Sequence, residues 1–240
     1  MGYYTENIIV SPTKVGYIIM GTDKVGLEKK FQVKKRNKNK PGVVLCSSIE
    51  QLTSLAEMTP EILSFYQKHW QDDILLGCIL PWKEEAKKLI PEESKDFIMD
   101  KRSTSCFVIK FGKPSEQIAS QLWEKHRKLC FASSANPSGK GNKGMISGVG
   151  YDIEEGADLL ICADDYVASI QPGKSVDTRY EQGVMVSMVD NEGNLIPHQN
   201  CQRKISPCPI VIRKGLDIDK IMINLSDYFL SWDYRQGTYY

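Results

Sequence analysis

Short apolar runs alternate with segments of helical periodicity along most of this chain, and this alternation is the strongest constraint on its fold. The runs at 43–46, 74–80 and 106–111 predict buried strands because they are short and apolar. Helix start signals lie between such runs, for example Thr59 followed by Pro60. The pattern therefore favours an α/β fold in which helices flank a twisted, open, mixed sheet. Further strands are predicted over 7–11, 129–132, 157–162, 184–189 and 209–212, and helices over 24–36 and from residues 48, 59 and 114. Residues 17–20 are predicted to form either a second strand or the start of a buried turn.

The length of the chain suits one large domain with, at most, a small appendage. Its 240 residues contain no internal repeat. Residues 1–215 carry the pattern of strands and helices and are predicted to form the domain. The pattern weakens over 216–240, which is predicted to be a C-terminal extension, either packed on the domain or mobile.

Net charge and hydropathy argue against several classes of partner. The formal net charge is +1, so the chain as a whole has no general attraction to nucleic acid or to a membrane surface. No window approaches the roughly 18 apolar residues of a membrane span. The first residues lack the pattern of a signal peptide. We therefore expect a cytoplasmic protein without a membrane partner.

The cysteines and histidines do not predict a metal site. The seven cysteines include no CxxC pair, and most are expected to be small buried side chains in a reducing compartment. His69, His126 and His198 lack the spacing of paired metal ligands. No metal bound directly by protein side chains is expected.

A basic segment precedes the strand predicted at 43–46. It runs from Lys34 to Pro41 and holds five cations within seven residues, among them Arg36 and Lys40. A solvated surface turn is the ordinary interpretation of such a run. The alternative is a phosphate site, because Arg offers a planar fork beside the point charges of Lys, and ligands of α/β proteins gather at sheet edges.

A loop rich in small hydroxyl residues follows the strand predicted at 129–132. Ser133, Ser134, Asn136 and Ser138 lie within it, followed by glycines and Lys140. Small residues let the backbone approach a ligand, and hydroxyl and N–H groups donate to phosphate oxygens. The loop is neither a Walker A loop nor a G-x-G-x-x-G turn. A plain flexible loop is the competing interpretation, because loops commonly have this composition.

The order of these two elements resembles that of the YrdC-like family of threonylcarbamoyl-adenylate synthases. The loop matches the family's S-A-N-x-S-G, and the basic segment resembles its K-x-R-x-x-x-K-P. The likeness continues to a final strand ending in Arg213 and Gly215. It implies an open α/β sheet with a large concave, basic cavity. It also implies condensation of ATP, L-threonine and bicarbonate to threonylcarbamoyl-adenylate and pyrophosphate for tRNA modification, with Mg²⁺ held through the phosphates.

The resemblance also implies roles for individual residues. Lys34 and Arg36 would hold the ATP phosphates and stabilise the charge that develops during catalysis. Ser134, Asn136 and Ser138 would contact nucleotide and carbamoyl oxygens. Lys40 and Arg213 would complete the nucleotide site. Substrate-binding residues are expected at Thr13, Lys14, Tyr17 and Ser133.

The chain departs from the family pattern in the segment that faces the amino acid. The family's P-T-[DE]-T-V-Y-G is P-T-K-V-G-Y-I here, so that Lys14 replaces an acidic residue. Gly16 and Tyr17 resemble the YciO branch of the superfamily. An acid-to-lysine change alters the local charge by two units and favours an anionic group. We therefore expect an altered second substrate.

Two other functions remain open at this stage. One is a carbamoyltransferase that uses the same pocket. The other is a non-catalytic protein that binds a nucleotide or RNA, such as tRNA, through the basic segment together with Lys140 and Lys143.

Overall fold

A computed structural model describes residues 8–34, 41–137, 139–141 and 143–237. Ten strands form one sheet in this part of the chain, in the order β10-β9-β8-β4-β5-β3-β6-β2-β1-β7. Parallel and antiparallel pairs both occur, so the predicted mixed sheet is confirmed. The strands are β1 Ile9–Thr13, β2 Gly16–Gly21, β3 Val43–Leu45, β4 Leu76–Pro81, β5 Thr104–Ile109, β6 Phe131–Ser134, β7 Leu159–Leu160, β8 Val184–Ser187, β9 Ile210–Arg213 and β10 Asp233–Tyr234.

Helices lie on both faces of the sheet, and several begin at caps that are visible in the sequence. The Ser48 hydroxyl accepts a hydrogen bond from the Gln51 N–H, and the Thr59 hydroxyl accepts one from Ile62. Helix α1 was predicted to reach residue 36 but its assigned span ends at Val33, and residues 35–40 are outside the described ranges. The helices are α1 Lys24–Val33, α2 Ile49–Leu55, α3 Pro60–Gln71, α4 Glu84–Lys87, α5 Lys95–Ile98, α6 Lys113–His126, α7 Tyr151–Gly156, α8 Asp164–Ile170 and α9 Ile218–Tyr228.

One strand is displaced from its predicted position in a way that matters for the site. The sequence predicts a strand over 129–132, whereas β6 covers Phe131–Ser134. The reason is pairing with β2, in which Ser134 lies opposite Ile18 and Ser133 opposite Ile19. The ladder outweighs the turn propensity of serine, so the first two hydroxyl residues of the predicted loop belong to the sheet.

The two faces of the sheet are covered to different extents. Strand alternation sends Val44, Leu76 and Phe107 to one face, where they join a large buried cluster with α1, α2, α3 and α9. Their neighbours point to the other face, where α6 covers part of the sheet through Ile118 and Leu122. We call these the covered face and the cavity face.

The C-terminal residues pack on the covered face. In α9, Ile221 and Leu225 are fully buried in the large cluster, and the Phe229 ring lies 5.7 Å from that of Phe65. β10 then pairs in parallel with β9 at the edge of the sheet. Residues 216–237 thus share the core of the preceding chain.

The cysteines and the helix lengths agree with a protein interior rather than a disulfide framework. Cys46, Cys78, Cys106 and Cys130 are buried free thiols, and burial raises the pKa of each. Within the described ranges, no helix has both the length and the apolar character needed to cross a membrane.

Candidate functional site

A cavity of about 660 Å³ opens on the cavity face of the sheet. It exists because α6 covers only part of this face and because several floor residues are small. The floor of the cavity is formed by residues that lie in six neighbouring strands or directly next to them. Its residues are Ile18, Val43, Leu45, Leu75, Gly77, Val108, Ala132 and Met185.

Charged residues line the sides of the cavity. Among the described lining residues are four cations, Lys140, Arg179, Arg213 and Lys214, and one carboxylate, Glu181. This set favours a basic cavity. The basic character remains a prediction, because Arg36 and Lys40 of the basic segment lie outside the described residues.

The end of β6 supplies polar atoms at the cavity wall. Ser133, Ser134 and Asn136 all line it, and the Ala135 N–H donates to the Tyr17 carbonyl at 2.8 Å, which ties this segment to β2. The buried Asn136 Oδ1 and Ser133 Oγ have no hydrogen-bond partner among the described residues. Buried polar atoms are normally paired, so these two are candidates for ligand contacts. Ser138 lies outside the described residues.

Lys34 joins the basic segment to this loop. It follows α1 and is 4% exposed. Its Nζ donates to the Ser134 carbonyl and lies 3.5 Å from the Ser134 hydroxyl. Two segments that are 100 residues apart in the sequence are therefore in contact at the cavity wall. Lys34 itself is not among the residues that line the cavity.

The hairpin between β1 and β2 supplies Thr13 to the cavity but not Lys14. The Thr13 hydroxyl donates to the Gly16 carbonyl at 2.7 Å and closes the turn. The Lys14 Nζ contacts Asp73, through the carbonyl and through Oδ2 at 2.8 Å. Lys110 is 3.6 Å from the same carboxylate. Lys14 is thus paired with Asp73 and does not line the cavity, so it does not by itself argue for an anionic substrate.

Tyr17 points away from the cavity floor and ties three elements together. Its hydroxyl donates to Asp164 Oδ1 at 2.5 Å and accepts from the Ala163 N–H at 2.8 Å. Asp164 Oδ1 also accepts from the Ile146 N–H. Burial, followed by the bond to Asp164, raises the pKa of the Tyr17 hydroxyl. We call the hydroxyl-rich segment 133–138 the Ser-Asn loop. The Tyr17 side chain positions the segment that follows this loop, a role that sequence inspection did not suggest.

Sequence inspection also missed the loop between α8 and β8. Arg179, Tyr180, Glu181 and Gln182 line the cavity. No local motif marks this loop. The one available signal was its position, since it leads directly into the strand predicted over 184–189.

Comparisons with known proteins agree with the fold and identify the family. The Sua5/YciO/YrdC family model, described as "Telomere recombination", matches residues 4–172. No curated protein matches the sequence.

Several solved structures are similar, among them the following three. The hypothetical protein smu.1377c from Streptococcus mutans UA159 is 60% identical with a TM-score of 0.93, over 98% of this chain and 92% of that one. Sua5 of P. abyssi, complexed with L-threonine, is 21% identical with a TM-score of 0.58. The match covers 90% of this chain but 54% of that one, so this chain spans about half of it. YciO of E. coli is 17% identical with a TM-score of 0.56, over 88% of this chain and 84% of that one.

The family model covers well over half of the chain, and the sheet with its flanking helices matches the fold of Sua5 and YciO. The resemblance drawn from the loop and the basic segment is confirmed, and this chain belongs to the Sua5/YciO/YrdC family.

Proposed function

We propose that the chain binds ATP in this cavity and forms a carbamoyl-adenylate. An amine and bicarbonate give a carbamate and water. A carbamate oxygen then attacks the α-phosphorus, a new P–O bond forms, and the bond to the β-phosphate breaks to release pyrophosphate. Such a reaction needs no side-chain nucleophile, so the protein acts by positioning groups and by stabilising charge. The proposed location is the cytoplasm, whose reducing conditions suit the free cysteines.

The contact between Lys34 and Ser134 carries this proposal. It places a cation of the basic segment against the loop whose Asn136 and Ser133 oxygens lack partners among the described residues. A nucleotide would supply the missing groups, because a phosphate oxygen accepts from the Ser133 hydroxyl and a sugar hydroxyl donates to Asn136 Oδ1. A buried cation at such a wall also stabilises negative charge more strongly than it would in water.

Other residues complete the proposed nucleotide site. Arg213 lines the cavity, and its Nε donates to the Gly183 carbonyl at 2.9 Å, which fixes the guanidinium at the wall. Arg36, Lys40 and Ser138 are proposed to contact the phosphates on the resemblance alone. Mg²⁺ accompanying ATP would be held mainly by phosphate oxygens, since Glu181 is the single carboxylate among the described lining residues.

The second substrate is proposed to be an amino acid or a carbamoyl compound. Sua5 of P. abyssi was solved with L-threonine, which makes threonine the first candidate here. The changes around Lys14 and Val15 favour a different side chain from threonine, because Val15 replaces a hydroxyl residue of the family pattern and lines the cavity.

A pyrophosphate-release screen tests the proposal. ATP and bicarbonate are supplied with each amino acid in turn, and carbamoyl phosphate is tested in place of bicarbonate. We expect release with one compound or one small group, and only when bicarbonate or carbamoyl phosphate is also present. No release with any compound, together with no calorimetric heat from ATP or AMP at millimolar concentration, would contradict it. Salt-dependent RNA binding without release would favour a non-catalytic binder.

Two serine variants locate the nucleotide. Ser134→Ala removes a hydroxyl at the cavity wall, whereas Ser147→Ala removes an exposed hydroxyl that does not line the cavity. We expect Ser134→Ala to weaken ATP binding about tenfold, the usual effect of losing a hydrogen bond to a charged group. Ser147→Ala should bind ATP like the unmodified chain, as measured by calorimetry. Equal affinities in both variants would place the nucleotide elsewhere.

A further inference from the structure

Arg179 lies in a loop that is held in place before any ligand binds. The Gln171 side chain, which is buried, accepts from the Tyr180 N–H at 2.7 Å and donates to the Tyr180 carbonyl at 3.0 Å. The Arg179 N–H donates to the Ser175 carbonyl at 3.0 Å. The backbone on both sides of Arg179 is thus fixed by hydrogen bonds, and the residue is carried to the cavity wall.

Arg179 is half-buried, and one donor of its guanidinium, Nε, is fully buried. This Nε has no hydrogen-bond partner among the described residues, and none of the described carboxylates forms an ion pair with the side chain. Nη1 lies 3.6 Å from the position that a Cβ would take at Gly144. The side chain therefore sits between its own loop and the segment that follows the Ser-Asn loop. A charged donor in such a place is normally paired with an anion.

Two other cations that the sequence suggested for this site have partners within the chain. Lys14 is paired with Asp73, and the Arg213 Nε is bonded to the Gly183 carbonyl. Lys14, where the sequence led us to expect an anion site, does not line the cavity, whereas Arg179 does. The guanidinium fork suits two oxygens of a phosphate or a carboxylate.

We propose that Arg179 binds an oxyanion of the ligand in this cavity, either a phosphate of the nucleotide or the carboxylate of the second substrate. The inference rests on the proposed function for the identity of the ligand. It adds a residue that sequence inspection did not identify, and it assigns an anionic group to whatever occupies this wall.

Calorimetric titration of matched variants tests this. Arg179→Gln removes the charge, and Arg179→Lys keeps the charge without the fork. Lys174→Gln makes the same change of charge at an exposed position of the same loop that does not line the cavity. The probes are ATP, inorganic pyrophosphate, L-threonine and L-threonine methyl ester, which lacks the carboxylate.

We expect Arg179→Gln to weaken binding of at least one anionic probe about tenfold or more, with Arg179→Lys intermediate and Lys174→Gln unchanged. A loss with ATP and pyrophosphate assigns the phosphate. A loss with L-threonine but not with its ester assigns the carboxylate. The melting temperature without ligand should be unchanged or higher in Arg179→Gln, because an unpaired buried donor is removed, whereas a structural role would lower it.

Affinities within twofold of the unmodified chain for every probe would overturn the inference, as would an unmodified chain that binds none of the probes. Failure of the proposed function is a separate result. If ATP does not bind and no pyrophosphate is released, but pyrophosphate or L-threonine binds in a manner that depends on Arg179, the inference stands. If pyrophosphate release proceeds normally in Arg179→Gln, the proposed function stands and the inference fails.

Discussion

The two faces of the sheet differ in packing: the covered face forms most of the buried core, and the cavity face leaves an open cavity. Neighbouring residues of the same type show the difference directly. Leu76 and Val44 are fully buried on the covered face, whereas Leu75 and Val43 line the cavity on the other face. The covered face is packed by helices along most of its length and supplies the larger core. The cavity face can stay hollow because the fold does not depend on filling it.

The largest effect should distinguish the two adjacent leucines. Leu76→Ala leaves a void in a closed core and should lower the free energy of unfolding by about 4 kcal/mol. Leu75→Ala removes atoms that already border an open cavity and should cost about half as much, or roughly 2 kcal/mol. Urea denaturation of both variants measures the difference. Equal losses would show that the cavity face is packed as tightly as the covered face.

An intermediate effect is expected when the two adjacent valines are enlarged. Val44→Phe forces a ring into a filled core and should destabilise the chain by about 2 kcal/mol. Val43→Phe has room in the cavity and should cost less than about 1 kcal/mol. Thermal unfolding measures both. Because the new ring occupies the hollow, Val43→Phe should also abolish ATP binding, and an unchanged ATP affinity would place the ligand outside this cavity.

The smallest effect concerns His69, a buried polar group of the covered face. Its Nδ1–H donates to the Phe65 carbonyl at 2.6 Å, and its Nε2 accepts from the Asn224 amide at 3.3 Å. Burial lowers the pKa of His69 from its ordinary 6.5. The neutral ring is therefore the form that fits this core.

The sign of the pH dependence follows from this lowered pKa. Above pH 6.5 the ring is neutral in both the folded and the unfolded state. As the pH falls below 6.5, the unfolded chain binds a proton that the folded chain does not, so stability decreases until the folded pKa is reached. The loss is at most about 1.4 kcal/mol per pH unit. Urea denaturation at pH 7 and pH 5 measures the free energy of unfolding. The decrease between these two pH values should be larger in the unmodified chain than in His69→Gln, by the contribution of His69. An equal decrease in the free energy of unfolding in both proteins would exclude a contribution from His69.

Much of the fold could be predicted because its signals are local. The apolar runs at 74–80 and 106–111, the cap at Thr59 and the proline at its first turn each appear within a few residues of sequence. The end of β6 could not be predicted in this way. Ser133 and Ser134 have turn propensity, and it is the ladder with Ile18 and Ile19 that makes them a strand.

The candidate site divides in a similar way. The family resemblance implied that Lys34 and the Ser-Asn loop serve one nucleotide site, and the two are in contact. The hydrogen-bond partners of Lys14 and Tyr17 could not be predicted from the sequence. Asp73 lies 59 residues from Lys14, and Asp164 lies 147 residues from Tyr17. Arg179 has no local motif, and its interest comes from a buried Nε that has no partner among the described residues and lies at the cavity wall.

The sequence by itself determined the α/β class, the helix caps and the family, because periodicity, capping and short motifs are properties of neighbouring residues. Only the tertiary structure decided which cations are paired within the chain and which line the cavity. That distinction depends on carboxylates and carbonyls from distant parts of the chain, and their positions are set by the packing of the sheet rather than by local sequence.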